Sequence, residues 1–460
     1  MQTLHHGVWP EGRPHSLEVP RRSVFQNLVE AAERDPTRTA INYYGSPLSY
    51  RDLLADVKRL AGYLSKVAKV RPNDRVAICL QNSPQFVIAY YAVLAANAVV
   101  VPITPLSRRA ELEHVFSDAE VKAVIFGAEL GPVIEAVWPS CGRPALISVR
   151  YSDHLTDPTS WPVPETVTQQ AGHSIGVPWL DTFSGDHTAP VHDRGPDDWC
   201  LIPYSSGTTG RPKGCLHTHG SVNFTLHAYP VWFALPSGSR YLATLPFYHV
   251  AGMQNSMNLP ILTASTVYPL TRWDPGLALR LIEEERIEQW RSITTSMIDL
   301  LSLPETEDAD LSSLAGIGGG GAQIPESIAQ KMSDLIGLEF IEAYGLTETI
   351  APTHINPPGA SKKQCLGIPI FDVDCRVIDP DTLVELGPGE TGEIVTHGPQ
   401  LMREYWRLPD ETTAAFTHFD GKRFFRTGDL GYYDAQGYFF FVDRLKRMIN
   451  VSGQTFRPET

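Results

Sequence analysis

The most informative stretch of the chain reads Tyr204-Ser205-Ser206-Gly207-Thr208-Thr209-Gly210-Arg211-Pro212-Lys213-Gly214. Its glycines let backbone N–H groups close around an anion, while the hydroxyls and the Lys213 ammonium add donors and positive charge. It differs from the GxxxxGK[ST] loop, because Pro212 precedes the lysine and Gly214 follows it. The stretch predicts a phosphate-binding loop, although a short glycine-rich segment alone is equally compatible with an ordinary surface turn.

The segments around this loop alternate between strand and helix patterns. Trp199 to Pro203, directly before it, reads as a strand, and Arg75 to Leu80 is a short apolar run typical of a buried parallel strand. Ser83-Pro84 then reads as an N-cap followed by a first helical residue. Strand, helix and strand in succession predict an α/β fold with a parallel sheet covered on both faces. From Val373 to Gly398, short strands and Gly/Pro turns indicate a small β-rich part.

Composition and charge narrow the classes of function. The chain has 460 residues, of which 42% are hydrophobic, so it can bury a large core in two or three subdomains. With 38 Lys and Arg against 52 Asp and Glu, the net charge of −14 argues against nucleic-acid binding. No run of about 18 apolar residues predicts a transmembrane segment, and Met1 to Arg22 does not resemble a signal peptide.

The cysteines indicate a reducing compartment. Six are scattered along the chain without a CxxC pair, which argues against a disulfide framework and favours a cytoplasmic location. His217-x-His219 has the spacing of metal ligands, but no Cys or carboxylate cluster accompanies it, so we expect no metal site there. Cys200 and Cys215, on either side of the glycine-rich loop, are interpreted as packing residues.

The full eleven-residue string resembles the phosphate-binding signature of the adenylate-forming superfamily, which contains acyl- and aryl-CoA synthetases, peptide-synthetase adenylation domains and beetle luciferases. The resemblance implies that nucleotide phosphates are bound by Ser205, Ser206, Gly207, Thr208, Thr209, Gly210 and Lys213. It covers essentially Val24 to Glu459 and favours the acyl- or aryl-CoA synthetase branch. In that branch ATP and CoA are co-substrates, and Mg²⁺ accompanies ATP.

Two further motifs are similar to the adenine and phosphate segments of that superfamily. Gly319-Gly320-Gly321-Ala322-Gln323-Ile324-Pro325 resembles the loop whose backbone lies against adenine, which implies contacts from Gly320, Gly321 and Ala322. Tyr344-Gly345-Leu346-Thr347-Glu348 follows in the expected order. By resemblance Tyr344 and Gly345 contact the adenine, Thr347 bonds the α-phosphate, and Glu348 holds Mg²⁺, which prefers carboxylate and phosphate oxygens.

The last two motifs resemble the ribose site and the hinge. Arg426-Thr427-Gly428-Asp429 implies that Asp429 accepts hydrogen bonds from the ribose hydroxyls. The segment Asp443 to Gly453 resembles the hinge before a small C-terminal domain, in which Arg444 reaches the ribose and phosphates and Lys446 is the hinge residue. The family continues for roughly a hundred residues that supply a catalytic lysine. We therefore expect that this chain binds ATP, AMP and acid but turns over poorly.

The resemblance also implies a fold and its divisions. We expect a large N-terminal domain of two mixed or parallel sheets sandwiched with helices, plus a small β-rich subdomain, with the small C-terminal domain absent from this chain. The predicted divisions are an N-terminal α/β subdomain at 1–190, a second α/β subdomain with the phosphate loop and acid pocket at 191–370, the β-rich subdomain at 371–445, and a hinge stub at 446–460.

The sequence indicates the residues of the acid pocket less clearly than those of the nucleotide site. Pro246 to Gly252 resembles the pocket-lining segment, in which the histidine at the place of His249 packs near the carboxylate. That histidine favours a plain carboxylic acid over an amino acid. The remaining pocket candidates are Met253, Gln254, Asn255, Met297, Gly345, Thr349 and Ile350. Thr295, where a proline is common, departs from the family near this pocket, as Asn97 and Glu404 do elsewhere.

The predicted activity is ATP-dependent activation of a carboxylic acid as acyl-AMP, with release of pyrophosphate, followed by thioester formation with CoA. We expect Lys213, His249, Thr347, Glu348 and Lys446 to take part in catalysis. A fatty or aryl acid is favoured over a small dicarboxylic or polyketide-like acid. Two alternatives stay open, namely a ligase that loads the phosphopantetheine arm of a carrier protein and a non-catalytic AMP or acyl-AMP binding module. A homodimer is also compatible with the sequence.

Overall fold

The computed structural model describes residues 3–156, 159–168, 172, 175–205, 211–321, 324–445, 449–451 and 454–456. Three of the predicted site segments, Ser206 to Gly210, Ala322 and Lys446, lie outside these residues.

Helices occur along the whole described chain. They are α1 (Val24–Arg34), α2 (Tyr50–Lys66), α3 (Pro84–Ala95), α4 (Arg109–Asp118), α5 (Gly131–Val137), α6 (Glu165–Thr168), α7 (His219–Phe233), α8 (Val250–Gly252), α9 (Leu259–Leu262), α10 (Pro275–Glu284), α11 (Thr294–Leu301), α12 (Glu326–Ile336) and α13 (Pro409–Ala414). A π-helix, Met253–Asn258, joins α8 to α9. None of the described helices combines the length and apolar composition needed to cross a bilayer.

The strands alternate with these helices. They are β1 (Thr39–Tyr43), β2 (Ser46–Ser49), β3 (Arg75–Cys79), β4 (Val99–Pro102), β5 (Val121–Gly127), β6 (Ala145–Val149), β7 (Val177–Pro178), β8 (Trp199–Leu201), β9 (Tyr204–Ser205), β10 (Lys213–Thr218), β11 (Arg240–Ala243), β12 (Thr266–Pro269), β13 (Gln289–Ser292), β14 (Gly316–Gly320), β15 (Ile341–Tyr344), β16 (His354–Ile355), β17 (Ile368–Pro369), β18 (Asp374–Ile378), β19 (Gly392–His397), β20 (Glu404–Tyr405), β21 (Phe416–Phe419), β22 (Lys422–Tyr433), β23 (Phe439–Arg444), β24 (Ile449–Val451) and β25 (Gln454–Phe456).

The first large sheet has the order β20-β10-β8-β4-β3-β5-β6-β7. Its centre is parallel and buried, as the apolar run at Arg75 to Leu80 predicted. Helix α3 is buried along its whole length between strands β3 and β4, and the predicted cap is confirmed, because the Ser83 hydroxyl accepts a hydrogen bond of 3.3 Å from the Phe86 backbone N–H. The antiparallel strand β10 brings the end of the phosphate loop to this sheet.

The second large sheet has the order β17-β16-β15-β14-β13-β11-β12-β1-β2 and is parallel from β15 to β1. The carboxyl ends of β14 and β15 carry the two predicted nucleotide motifs. In open α/β sheets ligands bind outside these ends. The topology therefore places both motifs at one edge of the sheet.

The two large sheets do not follow the sequence boundary predicted at residue 190. Strands β1 and β2, at residues 39–49, belong to the second sheet, whereas β8 and β10 belong to the first. Sequence periodicity identifies a strand but not its partner, which explains the difference. The four predicted divisions therefore stay a prediction, while the fold class of two helix-covered sheets is confirmed.

A third sheet, β18-β19-β22-β21 with β23 on β22, forms the β-rich part and is antiparallel throughout. Its strands β22 and β23 carry Asp429 and Arg444 opposite each other in register. All six cysteines are free and buried, including Cys200 and Cys215, which the sequence predicted to be packing residues.

Candidate active site

Two adjoining cavities lie where the three sheets meet. One, of about 390 Å³, is lined by residues that include Ser205, Lys213, Thr347 and Glu348. The other, of about 510 Å³, is lined by residues that include Gly320, Gly321, Tyr344, Gly345 and Asp429. Leu346 and Arg444 line both cavities, so the two form neighbouring parts of one site. We call them the phosphate cavity and the adenosine cavity.

The described ends of the glycine-rich loop face each other across a short hairpin. Strands β9 and β10 pair antiparallel with Ser205 opposite Lys213, and both residues line the phosphate cavity. Both described ends of the predicted loop therefore lie at this cavity. Ser206, Gly207, Thr208, Thr209 and Gly210, the centre of the predicted loop, lie outside the described residues.

The Lys213 ammonium is held by two groups on the wall of the phosphate cavity. Its Nζ lies 2.9 Å from Oε2 of Glu411, on α13, and 4.4 Å from the centroid of the Tyr405 ring. Glu411 is 55% exposed at its side chain, so water screens this ion pair. The ammonium is therefore restrained at the cavity by a contact that a phosphate group could replace.

Thr347 and Glu348 lie in a short 3₁₀ turn, Thr347–Thr349, after β15. The Tyr405 hydroxyl donates a hydrogen bond of 2.9 Å to Oε1 of Glu348. Nε2 of His217 donates one of 2.8 Å to the Thr347 carbonyl, which fixes the tautomer because a carbonyl only accepts. Burial lowers the pKa of His217 to about 4, so this imidazole is neutral at pH 7. A neutral histidine and a tyrosine thus orient the turn.

The adenosine cavity contains a chain of three polar groups. The Tyr344 hydroxyl donates a hydrogen bond of 2.6 Å to Oδ2 of Asp429, and Nε of Arg444 lies 3.0 Å from Oδ1. Asp429 is 1% exposed, and this burial raises its pKa, while the Tyr344 hydrogen bond and the Arg444 charge oppose the rise. Oδ2 thus accepts a hydrogen bond from Tyr344, whereas Oδ1 has the Arg444 charge beside it but no hydrogen bond among the described residues. Tyr344 and Arg444 are themselves predicted nucleotide contacts.

Two of the glycines that line the adenosine cavity occupy positions that other residues fit poorly. A Cβ on Gly345 would lie 2.8 Å from the Cα of Ala351, so a larger residue would displace the backbone there. Gly321 has φ of +88°, a conformation that other residues rarely adopt. Ala322, the third predicted adenine contact, lies outside the described residues.

The predicted acid-pocket residues differ in their exposure to solvent. His249 is exposed and caps α8, where its Nδ1 accepts a hydrogen bond of 3.3 Å from the Ala251 N–H. The remaining candidates other than Gly345 are buried, and they are Met253, Gln254, Asn255, Met297, Thr349 and Ile350. These buried residues do not line either of the two described cavities.

The side-chain amide of Gln254 is hydrogen-bonded by the protein. Its Nε2 donates hydrogen bonds to the Val222 carbonyl at 3.0 Å and to the Thr225 hydroxyl at 2.6 Å, and its Oε1 accepts one of 3.1 Å from Asn258. The amide is therefore saturated by the protein. A structural role explains Gln254 better than the substrate contact that the sequence allowed.

The two histidines of His217-x-His219 both form hydrogen bonds with the protein backbone. While His217 donates to Thr347, Nδ1 of His219 accepts a hydrogen bond of 3.1 Å from the Val24 N–H. Within the part of the chain that the structure describes, no three His, Cys, Asp or Glu side chains are grouped to hold a metal ion. Mg²⁺ does not require such a cluster, because one or two carboxylates together with the substrate phosphates commonly hold it. Glu348 alone therefore fits a Mg²⁺ ion that accompanies ATP.

Sequence reasoning missed Tyr405, Glu411 and the positioning role of His217. Glu411 lies 198 residues from Lys213, and Tyr405 lies 57 residues from Glu348, so no local pattern links the partners. His217 stood out only through its spacing from His219. Its contact with the Thr347 carbonyl could not be predicted, because it depends on the packing of β10 beside that turn.

Known proteins resemble this chain over most of its length. A family model described as AMP-binding enzyme matches residues 28–406. A long-chain-fatty-acid–CoA ligase of Bacillus subtilis is 32% identical over 98% of this chain and 81% of its own length. A feruloyl-CoA synthase of Amycolatopsis is also 32% identical, over 94% of this chain and 80% of its own length.

Solved structures show the same architecture. The ATP-bound structure of MatB from Rhodopseudomonas palustris matches with a TM-score of 0.82 and 26% identity, covering 95% of this chain and 82% of that one.

Proposed function

Because this chain belongs to the family of AMP-binding enzymes, we propose that it activates a carboxylic acid with ATP as acyl-AMP and transfers the acyl group to the thiol of CoA. The observation that carries the proposal is the pair of adjoining cavities, which collects Lys213, Glu348, Tyr344, Asp429 and Arg444 around one space. The relatives named as CoA ligases and CoA synthases support the choice of acceptor.

The two cavities suit the two halves of ATP. The adenosine cavity offers the Tyr344 ring and the glycines to the base, and the Asp429 carboxylate to the ribose hydroxyls. The phosphate cavity offers Lys213 and Thr347 to the phosphates. Arg444, which lines both cavities, lies at the junction where the ribose and the α-phosphate would meet.

Activation overcomes the low reactivity of a carboxylate, which is anionic and has a poor leaving group. A carboxylate oxygen attacks the α-phosphorus, the bond to the bridging oxygen breaks, and pyrophosphate leaves with that electron pair. Charge on the phosphoryl oxygens is stabilised by the Lys213 ammonium and by the donors at the ends of the glycine-rich loop. Mg²⁺, held by Glu348 and the phosphates, would neutralise further phosphate charge.

The second step needs no nucleophile from the protein. The sulfur of CoA attacks the acyl carbon, the thiol proton is released, and AMP departs with the oxygen that it gained. Burial raises the pKa of the Cys79, Cys200 and Cys215 thiols, which keeps them protonated at neutral pH. Direct transfer from acyl-AMP to CoA therefore explains the chemistry without an acyl-cysteine intermediate.

A single-turnover assay tests the proposal. Protein in stoichiometric amount is mixed with ATP, Mg²⁺ and a panel of acids, and the products are identified by mass spectrometry. We expect acyl-AMP and pyrophosphate from at least one acid, and acyl-CoA and AMP when CoA is added. AMP binding without acyl-AMP from any acid would favour the binding module. Acyl-AMP that CoA leaves unconsumed would contradict CoA as the acceptor.

A further inference from the structure

The C-terminal half of α4 contacts the chain at both described ends of the predicted phosphate loop. His114 and Asp118 are four residues apart on this helix, so their side chains leave the same face. Nε2 of His114 donates a hydrogen bond of 2.8 Å to the Pro212 carbonyl, and the Tyr204 hydroxyl donates one of 2.5 Å to Oδ2 of Asp118. One helix face therefore holds two points of the chain that lie on either side of the loop.

The two anchored residues adjoin residues that line the phosphate cavity. Tyr204 precedes Ser205, and Pro212 precedes Lys213. Ser205 and Lys213 are paired in the hairpin of β9 and β10, so a shift of either anchored residue would move both members of the pair. The side chains of α4 thus bear on the cavity through this hairpin and do not line it themselves.

The same end of α4 also holds strand β20. Nε1 of Trp406 donates a hydrogen bond of 3.1 Å to the Asp118 carbonyl, and the backbone N–H of Trp406 donates one of 2.7 Å to the Gly214 carbonyl. Trp406 follows Tyr405, whose ring lies against the Lys213 ammonium. The end of α4 is therefore connected to both strands that place groups around this ammonium.

The position of Asp118 is unfavourable for the helix itself. It is the last residue of α4, where the helix dipole disfavours a negative charge. The hydrogen bond from Tyr204 offsets this cost. Burial, together with the Asp118 carboxylate, raises the pKa of Tyr204, so its hydroxyl stays a donor at neutral pH. The contact with Tyr204, and not the stability of α4, therefore explains a carboxylate at this place.

We propose that His114 and Asp118, which we call the α4 anchor, are positioning residues for ATP, because they hold the hairpin that places Ser205 and Lys213 at the phosphate cavity. The inference rests on the proposed function. ATP carries a pyrophosphate group that AMP lacks, and AMP is bound mainly through the adenosine cavity. Loss of the α4 anchor therefore weakens the binding of ATP and leaves that of AMP nearly as it was.

Titration calorimetry with Mg-ATP and with AMP tests the α4 anchor. We expect His114→Leu and Asp118→Leu each to weaken Mg-ATP binding by about five- to tenfold, the scale of one lost hydrogen bond, with AMP affinity changed much less. His114→Gln keeps an N–H donor and Asp118→Asn keeps an oxygen acceptor, so both should retain most of the Mg-ATP affinity. This rescue separates the hydrogen bonds from the bulk of the side chains.

A second pair of variants assigns the effect to one bond. Tyr204→Phe removes only the hydroxyl, so it tests the bond to Asp118 even where a leucine variant does not fold. It should weaken Mg-ATP binding as Asp118→Leu does, and the double variant should lose no more than either single one. The control is His397→Leu on β19, which removes a hydrogen bond of 2.8 Å to the Arg423 carbonyl outside both cavities and should leave Mg-ATP affinity unchanged.

Three results overturn the α4 anchor. Wild-type affinity for Mg-ATP in folded His114→Leu and in Tyr204→Phe contradicts it directly. Equal losses for AMP and Mg-ATP, or the same loss in His397→Leu, would show that these contacts only stabilise the fold. Wild-type protein that binds neither AMP nor Mg-ATP contradicts the proposed function as well.

Discussion

The Tyr405 hydroxyl donates a hydrogen bond of 2.9 Å to Oε1 of Glu348, while the ring of the same tyrosine lies 4.4 Å from the Lys213 ammonium. One side chain on β20 thus contacts both the carboxylate that fits Mg²⁺ and the lysine that fits a phosphate. Tyr405 is 5% exposed, so its position is fixed by packing. It is a positioning residue for both sides of the phosphate cavity.

Replacing Tyr405 by Phe tests this role. The ring stays over Lys213, but Glu348 loses its hydrogen bond, so we expect weaker binding of Mg-ATP by about tenfold, with AMP affinity changed much less. The stability loss should be about 1 kcal/mol, the net worth of one hydrogen bond. Titration calorimetry with each nucleotide measures both affinities. Tyr432→Phe, on β22 outside both cavities, is the control, and equal losses for AMP and Mg-ATP would contradict the role.

The ion pair between Lys213 and Glu411 competes with phosphate. Glu411→Gln should release the ammonium and tighten pyrophosphate and ATP binding, by up to about fivefold, since an exposed pair contributes at most about 1 kcal/mol. Asp410→Asn is a matched control, because it removes the same charge one residue away on α13 without breaking an ion pair among the described residues. Equal effects of both variants would show that only the overall charge matters.

His217 makes stability depend on pH. Its pKa is about 4 when folded, below the ordinary 6.5, so between these values the unfolded chain binds one proton more at this residue. The free energy of unfolding therefore falls as the pH drops from 6.5 toward 4, by about 1.4 kcal/mol per pH unit. Above pH 6.5 this contribution is fully present.

Replacing His217 by Gln removes the titration and keeps an N–H donor for the Thr347 carbonyl. Urea unfolding at pH 7 and pH 5 should show a smaller loss of stability in this variant than in the wild-type protein. His418→Gln, at an exposed histidine on β21, should leave the pH dependence as it was. A His217→Gln protein with the full wild-type dependence would assign the effect to the other buried histidines, such as His154 and His354.

Motif order predicted the site better than periodicity predicted the sheets. Gly320, Tyr344, Asp429 and Arg444 come from four separate motifs, and the fold brings them around one cavity. Each motif has a fixed local chemistry, so its residues could be recognised without knowing their neighbours. By contrast, the pairing of β1 with β12 joins Ile41 to Val267, and nothing in either strand specifies the other.

The contacts of the predicted acid-pocket residues could not be predicted from the sequence. Gln254 was a plausible substrate ligand until the structure showed its amide saturated by Val222, Thr225 and Asn258. Arg291 drew no attention, because an arginine in a strand is normally assumed to reach solvent. Its burial, the property that singles it out, depends on how distant segments pack.

The most direct test of the central claim is the affinity of wild-type protein and Asp429→Asn for AMP and for non-hydrolysable acyl-AMP analogues, followed by thermal melting. A ligand at a hundredfold excess over its Kd stabilises the folded state by about 2.7 kcal/mol. We predict that AMP raises the melting temperature, that one acyl-AMP analogue raises it further, and that Asp429→Asn weakens both ligands by tenfold or more. A melting temperature that AMP, ATP and every analogue leave unchanged would contradict an adenylate site in these cavities.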